Sequence, residues 1–251
     1  MKQSSDTLLR AGMGLLLRDP PKRFLTKVFG QSWRAPLLRF SRFSPVIAAL
    51  KNETVVLGGC HRFDTIRNFH DVVGPKGHIV AIEANEGNVE RLRGEIARDP
   101  ALSKASNITL VARGIWDKKG TATFIANTGD YPGLDKIASE KIRDFSYAKV
   151  DGTKRIEIEV DSLDGILNAI GVKKVDYVVL TINDAELLAL DGIDQLLRDN
   201  PNVRFLVYSH CPQPCQQVKN KLIAKGYTIY ASRVPGSALD RIYAYRQTRA
   251  N

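Results

Sequence analysis

ETVVLGGCHRFDTIRNFHDVVGPKGHIVAIEANEGNVERLRGEI, residues 53–96, is the stretch that decides the fold. TVVLGG is a short continuous apolar run ending in glycines, the pattern of a parallel strand covered on both faces. DTIRNFHDVV has helical spacing and stops at Gly74, HIVAIEA is a second buried strand, and NVERLRGEIA is a second helix that stops near Pro100. Strand and helix in alternation form crossover units, and their repetition builds a doubly wound sheet.

The pattern continues downstream. NITLVARGIW (107–116) reads as a third strand, GTATFIAN (120–127) as a strand after the turn DKKG, and RIEIEV (155–160) as a strand of period two. SLDGILNAIG (162–171) is a capped helix, VDYVVLTI (175–182) a buried strand, AELLALDGIDQLLRD (185–199) one helix stopped by NP, and VRFLVYS (203–209) a strand. CQQVKNKLIAKG (215–226) is a helix, and YTIYASR with RIYAYRQ (227–247) closes the pattern as an antiparallel hairpin. The expected fold is therefore α/β: a Rossmann-like doubly wound, mostly parallel sheet with a C-terminal antiparallel hairpin and an N-terminal helical extension. Asn127 to Lys154 has no strong period, and a loop that long is either a substrate lid or a plain surface loop.

Upstream the chain differs in kind. Residues 1–50 read as a basic extension of several short helices, with Asp19–Pro20 and Ser44–Pro45 as helix starts, and residues 51–251 as the sheet domain. The net charge is +10, and the first fifty residues hold nine Lys or Arg against two Asp. Such a segment, interleaved with Leu, Phe and Trp, packs on the domain with its charges solvated, lies on an anionic membrane surface, or meets an anionic polymer. The longest early apolar run, GMGLLL (12–17), is too short to span a bilayer. Three cysteines, Cys60, Cys211 and Cys215, are too few and odd in number for a disulfide framework, so a reducing, cytoplasmic setting is expected. HCPQPC (210–215) lacks a matching fourth ligand, so no metal site is expected.

Ligands of open parallel sheets sit at the carboxyl ends of the strands, where the winding reverses. The first strand delivers GGCHRFD (58–64) to that edge, and the second ends in Glu83, an acid placed to accept hydrogen bonds from both hydroxyls of a ribose. A nucleoside-containing ligand follows, and both NAD and S-adenosylmethionine carry the ribose. The glycine segment is not GxGxxG, since Arg62 and Phe63 occupy positions where a pyrophosphate needs glycine. The C-terminal antiparallel hairpin also favours S-adenosylmethionine over a dinucleotide.

From Val55 onward the sequence resembles the FkbM-type methyltransferases, S-adenosylmethionine-dependent enzymes with a Rossmann-like sheet that usually methylate oxygen, often on sugars or natural products. VVLGGCHRFDTI lines up with the first-strand pattern DvGAnvGdtT, and HIVAIEANEGNVERLRGEI with the second strand and helix, placing Glu83 on the ribose-binding acid. NITLVARGIWDKKGTATF is similar to the third strand and hairpin, and VDSLDGILNAIGVKKVDYVVLTINDAELLALDGI lies over vdsLDdil…vDfiKiDvEGaElevLkG. The departures gather at the active edge. Leu57 stands for the first-strand acid, His61 for Asn, Phe63 for the last glycine, Val179 for Lys, Thr181 for Asp, Asn183 for Glu and Asp184 for Gly, while Glu186 keeps its acid.

The resemblance implies S-adenosylmethionine as cofactor, with Gly58, Gly59, Cys60, His61 and Asp64 at its methionine end, Glu83 and Ala84 at the ribose, and Gly114, Ile115 and Trp116 near the adenine. The acceptor, a small molecule or glycan hydroxyl, is expected between Thr181–Glu186 and a lid around Tyr131, with His61, Asn183, Asp184 and Glu186 as candidate catalytic groups. The rival is a catalytically degenerate nucleoside-binding or scaffold protein acting through its basic extension; a nucleic-acid acceptor ranks last. The expected location is cytoplasmic, with residues 1–50 offered to an anionic membrane surface.

Overall fold

The computed structural model describes residues 49–127, 135–138, 153–210, 213–233 and 239–246. The expected extension, apart from Ala49 and Leu50, lies outside them, as do Tyr131 and most of the expected lid.

Five parallel strands form the centre: β1 (Thr54–Gly58), β2 (His78–Glu83), β3 (Ile108–Ala112), β8 (Tyr177–Leu180) and β9 (Arg204–His210). The hairpin of β10 (Thr228–Arg233) and β11 (Leu239–Tyr245) completes a seven-stranded sheet in the order β10-β11-β9-β8-β1-β2-β3, with β11 antiparallel to both of its neighbours. The chain runs outward from β1 to β3, then returns on the other side through β8 and β9. Strands β1 and β8 are hydrogen-bonded neighbours at that reversal.

The apolar runs are continuous because both faces are covered. In β1, Val56 enters one core cluster while Val55 and Leu57 enter another; in β8, Val178 and Leu180 share the first cluster while Tyr177 and Val179 share the second. Each such side chain contributes about 1.5–3 kcal/mol by leaving water. Helices α1 (Phe63–Val73) and α2 (Glu86–Arg98) cover the second face through Ile66, Val73 and Leu92. Helices α3 (Leu163–Ala169), α4 (Glu186–Ala189), α5 (Asp194–Asp199) and α6 (Gln213–Ala224) cover the first through Leu163, Ile166, Ala189, Leu196, Val218 and Leu222.

Two elements depart from the sequence expectation. The expected third strand over 107–116 is two strands in two sheets: β3 ends at Ala112, and β4 (Gly114–Trp116) joins a second sheet, β4-β7-β5-β6, with β5 (Gly120–Asn127), β6 (Lys136–Ala138) and β7 (Thr153–Ser162). Gly114 makes the transfer feasible, because a Cβ there would sit 2.8 Å from a methyl of Val160 on β7. The expected helix over 185–199 breaks into α4 and α5. The Gly192 carbonyl accepts from Asp164 N–H (3.0 Å), and the Asp164 carboxylate in turn accepts from Gln195 N–H and Leu196 N–H, each at 2.8 Å, so the start of α3 docks into the break and caps α5. The Ser162 cap of α3 is present, accepting from Gly165 N–H at 3.0 Å.

Candidate functional site

A cleft enclosing about 480 Å³, its open mouth included, lies at the carboxyl ends of β1, β2 and β8, where the winding reverses. Gly59 and His61 line it from β1, Ile82, Glu83 and Ala84 from β2, and Thr181, Ile182 and Asn183 from β8. Arg113, Gly114, Ile115 and Phe124 form another wall, and Asp135, Lys136 and Ile137 of the β6 strap complete the lining.

The floor is set by backbone. Gly59 N–H and Cys60 N–H both donate to the Ile82 carbonyl (2.9 and 3.2 Å), and Thr181 N–H donates to the Gly58 carbonyl (2.9 Å), which holds three strand ends together. Gly59 has φ +76°, and a Cβ there would land on the Thr181 carbonyl oxygen. Glycine is thus needed for both torsion and clearance. Arg91 of α2 donates to the His61 carbonyl at 2.5 Å and fixes the far end of the turn.

Glu83 is 6% exposed, and its Oε1 accepts from Asn85 N–H (3.0 Å) and from Asn88 Nδ2 (3.2 Å). One carboxylate oxygen is clamped by the start of α2 while the side chain still lines the cleft. Burial pushes its carboxyl above the usual range; the two asparagine hydrogen bonds pull it back, and the Asp135 charge pushes it up again. His61 is held below the usual imidazole range by burial and then by the Arg62 charge, so its ring is neutral at pH 7.

Of the expected cofactor residues, Gly59, His61, Glu83, Ala84, Gly114 and Ile115 meet in this cleft. The others stand elsewhere. Gly58 is directly beneath, where a Cβ would come within 2.7 Å of Ile115. Cys60 is turned into the core, its thiol pushed up to about 12 by burial and the Glu83 charge. Asp64 is on the outer face of α1, ion-paired with Arg62 at 3.6 Å and largely exposed. Trp116 packs in a separate cluster with Phe124 and Val160. Phe63 packs against the core behind β1 and does not narrow the cleft.

The expected catalytic residues divide similarly. Asn183 lines the cleft and donates from Nδ2 to the Asp135 carbonyl at 2.7 Å. Asp184 and Glu186 are buried outside the lining, at 9% and 2% exposure. The Glu186 carboxyl is pushed up to about 8 by burial, an effect that hydrogen bonds from the backbone of Ile182, Asp184 and its own residue offset in part. It therefore holds its own loop, where Asn183 and Asp184 both have positive φ (46° and 75°). Cys215 of the expected non-metal HCPQPC stretch is buried with its thiol 3.2 Å from Asp240, while Cys211 lies outside the described residues.

Sequence reasoning missed Asp135. It is 9% exposed, lines the cleft, and accepts from Asn85 Nδ2 at 3.2 Å. It lay within the period-free segment, where no pattern singles out one acid among several.

The match to known families decides the assignment: the methyltransferase FkbM domain fits residues 52–229. The chain belongs to the FkbM methyltransferase family. Its fold is the Rossmann-like class I methyltransferase fold, and S-adenosylmethionine is the methyl donor of FkbM domains. The solved FkbM methyltransferase of Methylobacillus flagellatus KT is similar at 14% identity with a TM-score of 0.57, over 83% of this chain and 47% of that one, so the chain spans about half its length. Aeropyrum pernix fibrillarin with natively bound S-adenosyl-L-methionine is similar at 13% identity and TM-score 0.49, over 85% and 74% of the two chains. Precorrin-6y C5,15-methyltransferase of Geobacter metallireducens GS-15 follows at 12% and 0.48, over 87% and 88%. Among curated proteins, none matches.

The cleft fits the FkbM donor. A carboxylate with one oxygen clamped suits a ribose diol, Ile82, Ala84, Ile115, Phe124 and Ile137 offer apolar walls to a purine, and two acids in one cleft suit a ligand bearing cationic groups.

Proposed function

We propose that the protein transfers the methyl group of S-adenosylmethionine to a hydroxyl of a small-molecule or glycan acceptor, in the cytoplasm, with residues 1–50 offered to an anionic membrane surface. The arrangement of Glu83, buried at the second-strand end and clamped by Asn85 and Asn88, carries the reading. When bound, the donor supplies an electrophilic methyl on sulfur: a carbon–oxygen bond forms in line as the carbon–sulfur bond breaks, leaving S-adenosylhomocysteine and a proton.

The chain's own residues do four things in this reading. Glu83 accepts the ribose hydroxyls, the Gly59 turn sets the depth of the methionine end, and Asn183 with the β6 strap limits the mouth. Alignment is the largest contribution to such a displacement. His61 accepts the hydroxyl proton, because it lines the cleft and its ring is neutral at pH 7.

Calorimetric titration with S-adenosylmethionine and S-adenosylhomocysteine tests the donor half: micromolar binding to the chain, lost in Glu83→Ala, is expected, and undiminished affinity in the variant removes the ribose role. A second reading, a nucleoside-binding scaffold, is favoured by one observation, the burial of Glu186 away from the cleft. Incubation with radiolabelled donor and hydroxylated acceptors separates the two, since a scaffold transfers no label.

A further inference from the structure

We infer that Asp135, on the β6 strap, supplies the negative charge beside the donor's sulfonium. The inference rests on the donor reading above.

Asn85 touches both cleft acids: its N–H donates to Glu83 Oε1 at 3.0 Å and its Nδ2 to Asp135 Oδ2 at 3.2 Å. Asn85 therefore links the two carboxylates. Asp135 also faces His61 of the glycine turn, whose imidazole responds to its charge. With ribose at Glu83 and the methionine end at Gly59 and His61, the point between them is where the sulfur joins the ribose 5′ carbon. Asp135 flanks that point. Its main chain is fixed there by Asn183 Nδ2, which donates to its carbonyl at 2.7 Å, so the same strap borders the side from which an acceptor approaches.

Two buried carboxylates in a cleft with apolar walls repel, and the Asp135 charge is one of the causes that raise the Glu83 carboxyl. Three cations border the cleft: Arg113 pairs with Glu159, Arg91 bonds Glu95 and the His61 carbonyl while its charge also acts on Glu83, and the Lys136 charge of the strap acts on Asp184. A cationic ligand lying between the acids relieves the repulsion, while a neutral one does not. The donor is cationic at sulfur and its product is not, so the site would hold substrate over product.

The test compares three ligands on the full chain by calorimetry: S-adenosylmethionine, sinefungin, whose ammonium replaces the methylsulfonium, and S-adenosylhomocysteine, neutral at sulfur. Asp135→Asn keeps the oxygen that accepts from Asn85 and removes only the charge. The expected result is a loss of about tenfold or more for the two cationic ligands, the scale of one opposite charge at a few ångströms, with less than about threefold for the neutral one. Asp135→Glu restores part of the preference. The ratio of affinities is read within one sample, so partial unfolding cancels from it. Equal losses for all three ligands, or no loss, overturn the inference. If the unaltered chain binds none of them, the donor reading falls and takes the inference with it; if it binds them and only Glu83→Ala abolishes binding, the donor reading stands and Asp135 is merely structural.

Discussion

Glu83 and Glu186 are both buried acids at strand ends, and they flank β1 from opposite sides, yet they are used in opposite ways. Glu83 follows β2, with one oxygen held by α2 and its side chain in the cleft. Glu186 opens α4 beyond β8, outside the cleft lining, with its carboxyl bonded by its own loop. The comparison teaches that an acid retained by a family can be retained for its loop, and that burial alone does not distinguish a ligand group from a brace.

The largest effect that bears on this contrast is expected at the glycine both halves share. Gly59→Ala, with φ +76° and a Cβ on the Thr181 carbonyl, should cost about 3 kcal/mol or more in chemical denaturation and disturb both strand ends; a cost below about 1 kcal/mol would mean that the β1 and β8 ends are not rigidly joined. Next is the exchange of roles between the acids. Glu83→Gln should weaken S-adenosylhomocysteine binding by about tenfold or more, whereas Glu186→Gln should leave it within about threefold. Similar losses in both would erase the distinction.

A third prediction concerns pH. Because the Glu186 carboxyl is raised to about 8 from 4.5, the folded chain holds a proton that the unfolded chain has lost. Its contribution to stability is present in full below the unfolded value and declines as pH rises through about 8. Melting of Glu186→Gln between pH 5 and 9 should show a flatter profile, gaining about 4 °C or more on the unaltered chain at the alkaline end. An unchanged profile would place the alkaline loss elsewhere. The smallest effect is expected for Asn183→Gly, which tolerates φ 46° while deleting the bond to the Asp135 carbonyl. Stability should move by less than about 1 kcal/mol, with faster amide exchange confined to Lys136–Ala138; unaltered exchange there would show that Asn183 does not hold the strap.

The sequence made the central sheet legible because its strands are buried on both faces, and TVVLGG or VDYVVL admits little else at that length. Glu83 was legible for a related reason: the end of a buried strand can be counted. The split at Arg113 was not, since β3 and β4 are separated by that one residue and only Gly114, whose clearance from Val160 is a tertiary fact, marks the change of sheet. The break between α4 and α5 was hidden likewise, its cause being Asp164, far away in sequence. The family resemblance places Cys60 and Asp64 at the methionine end, but the turn after Gly59 directs one into the core and the other to solvent. Asp135 reaches the cleft only through sheet pairing with β5, which spacing does not encode.

Strand β11 lies between β9 and β10 although both precede it in the chain. During synthesis, β9 and β10 must therefore leave a gap one strand wide until residues 239–245 emerge, with two edges open to intermolecular pairing. The sheet is closed by one of the last of its strands to be made. Chains arrested before residue 239 should consequently expose strand edges and associate with chaperones or with one another, while release of the hairpin completes folding in a single cooperative event.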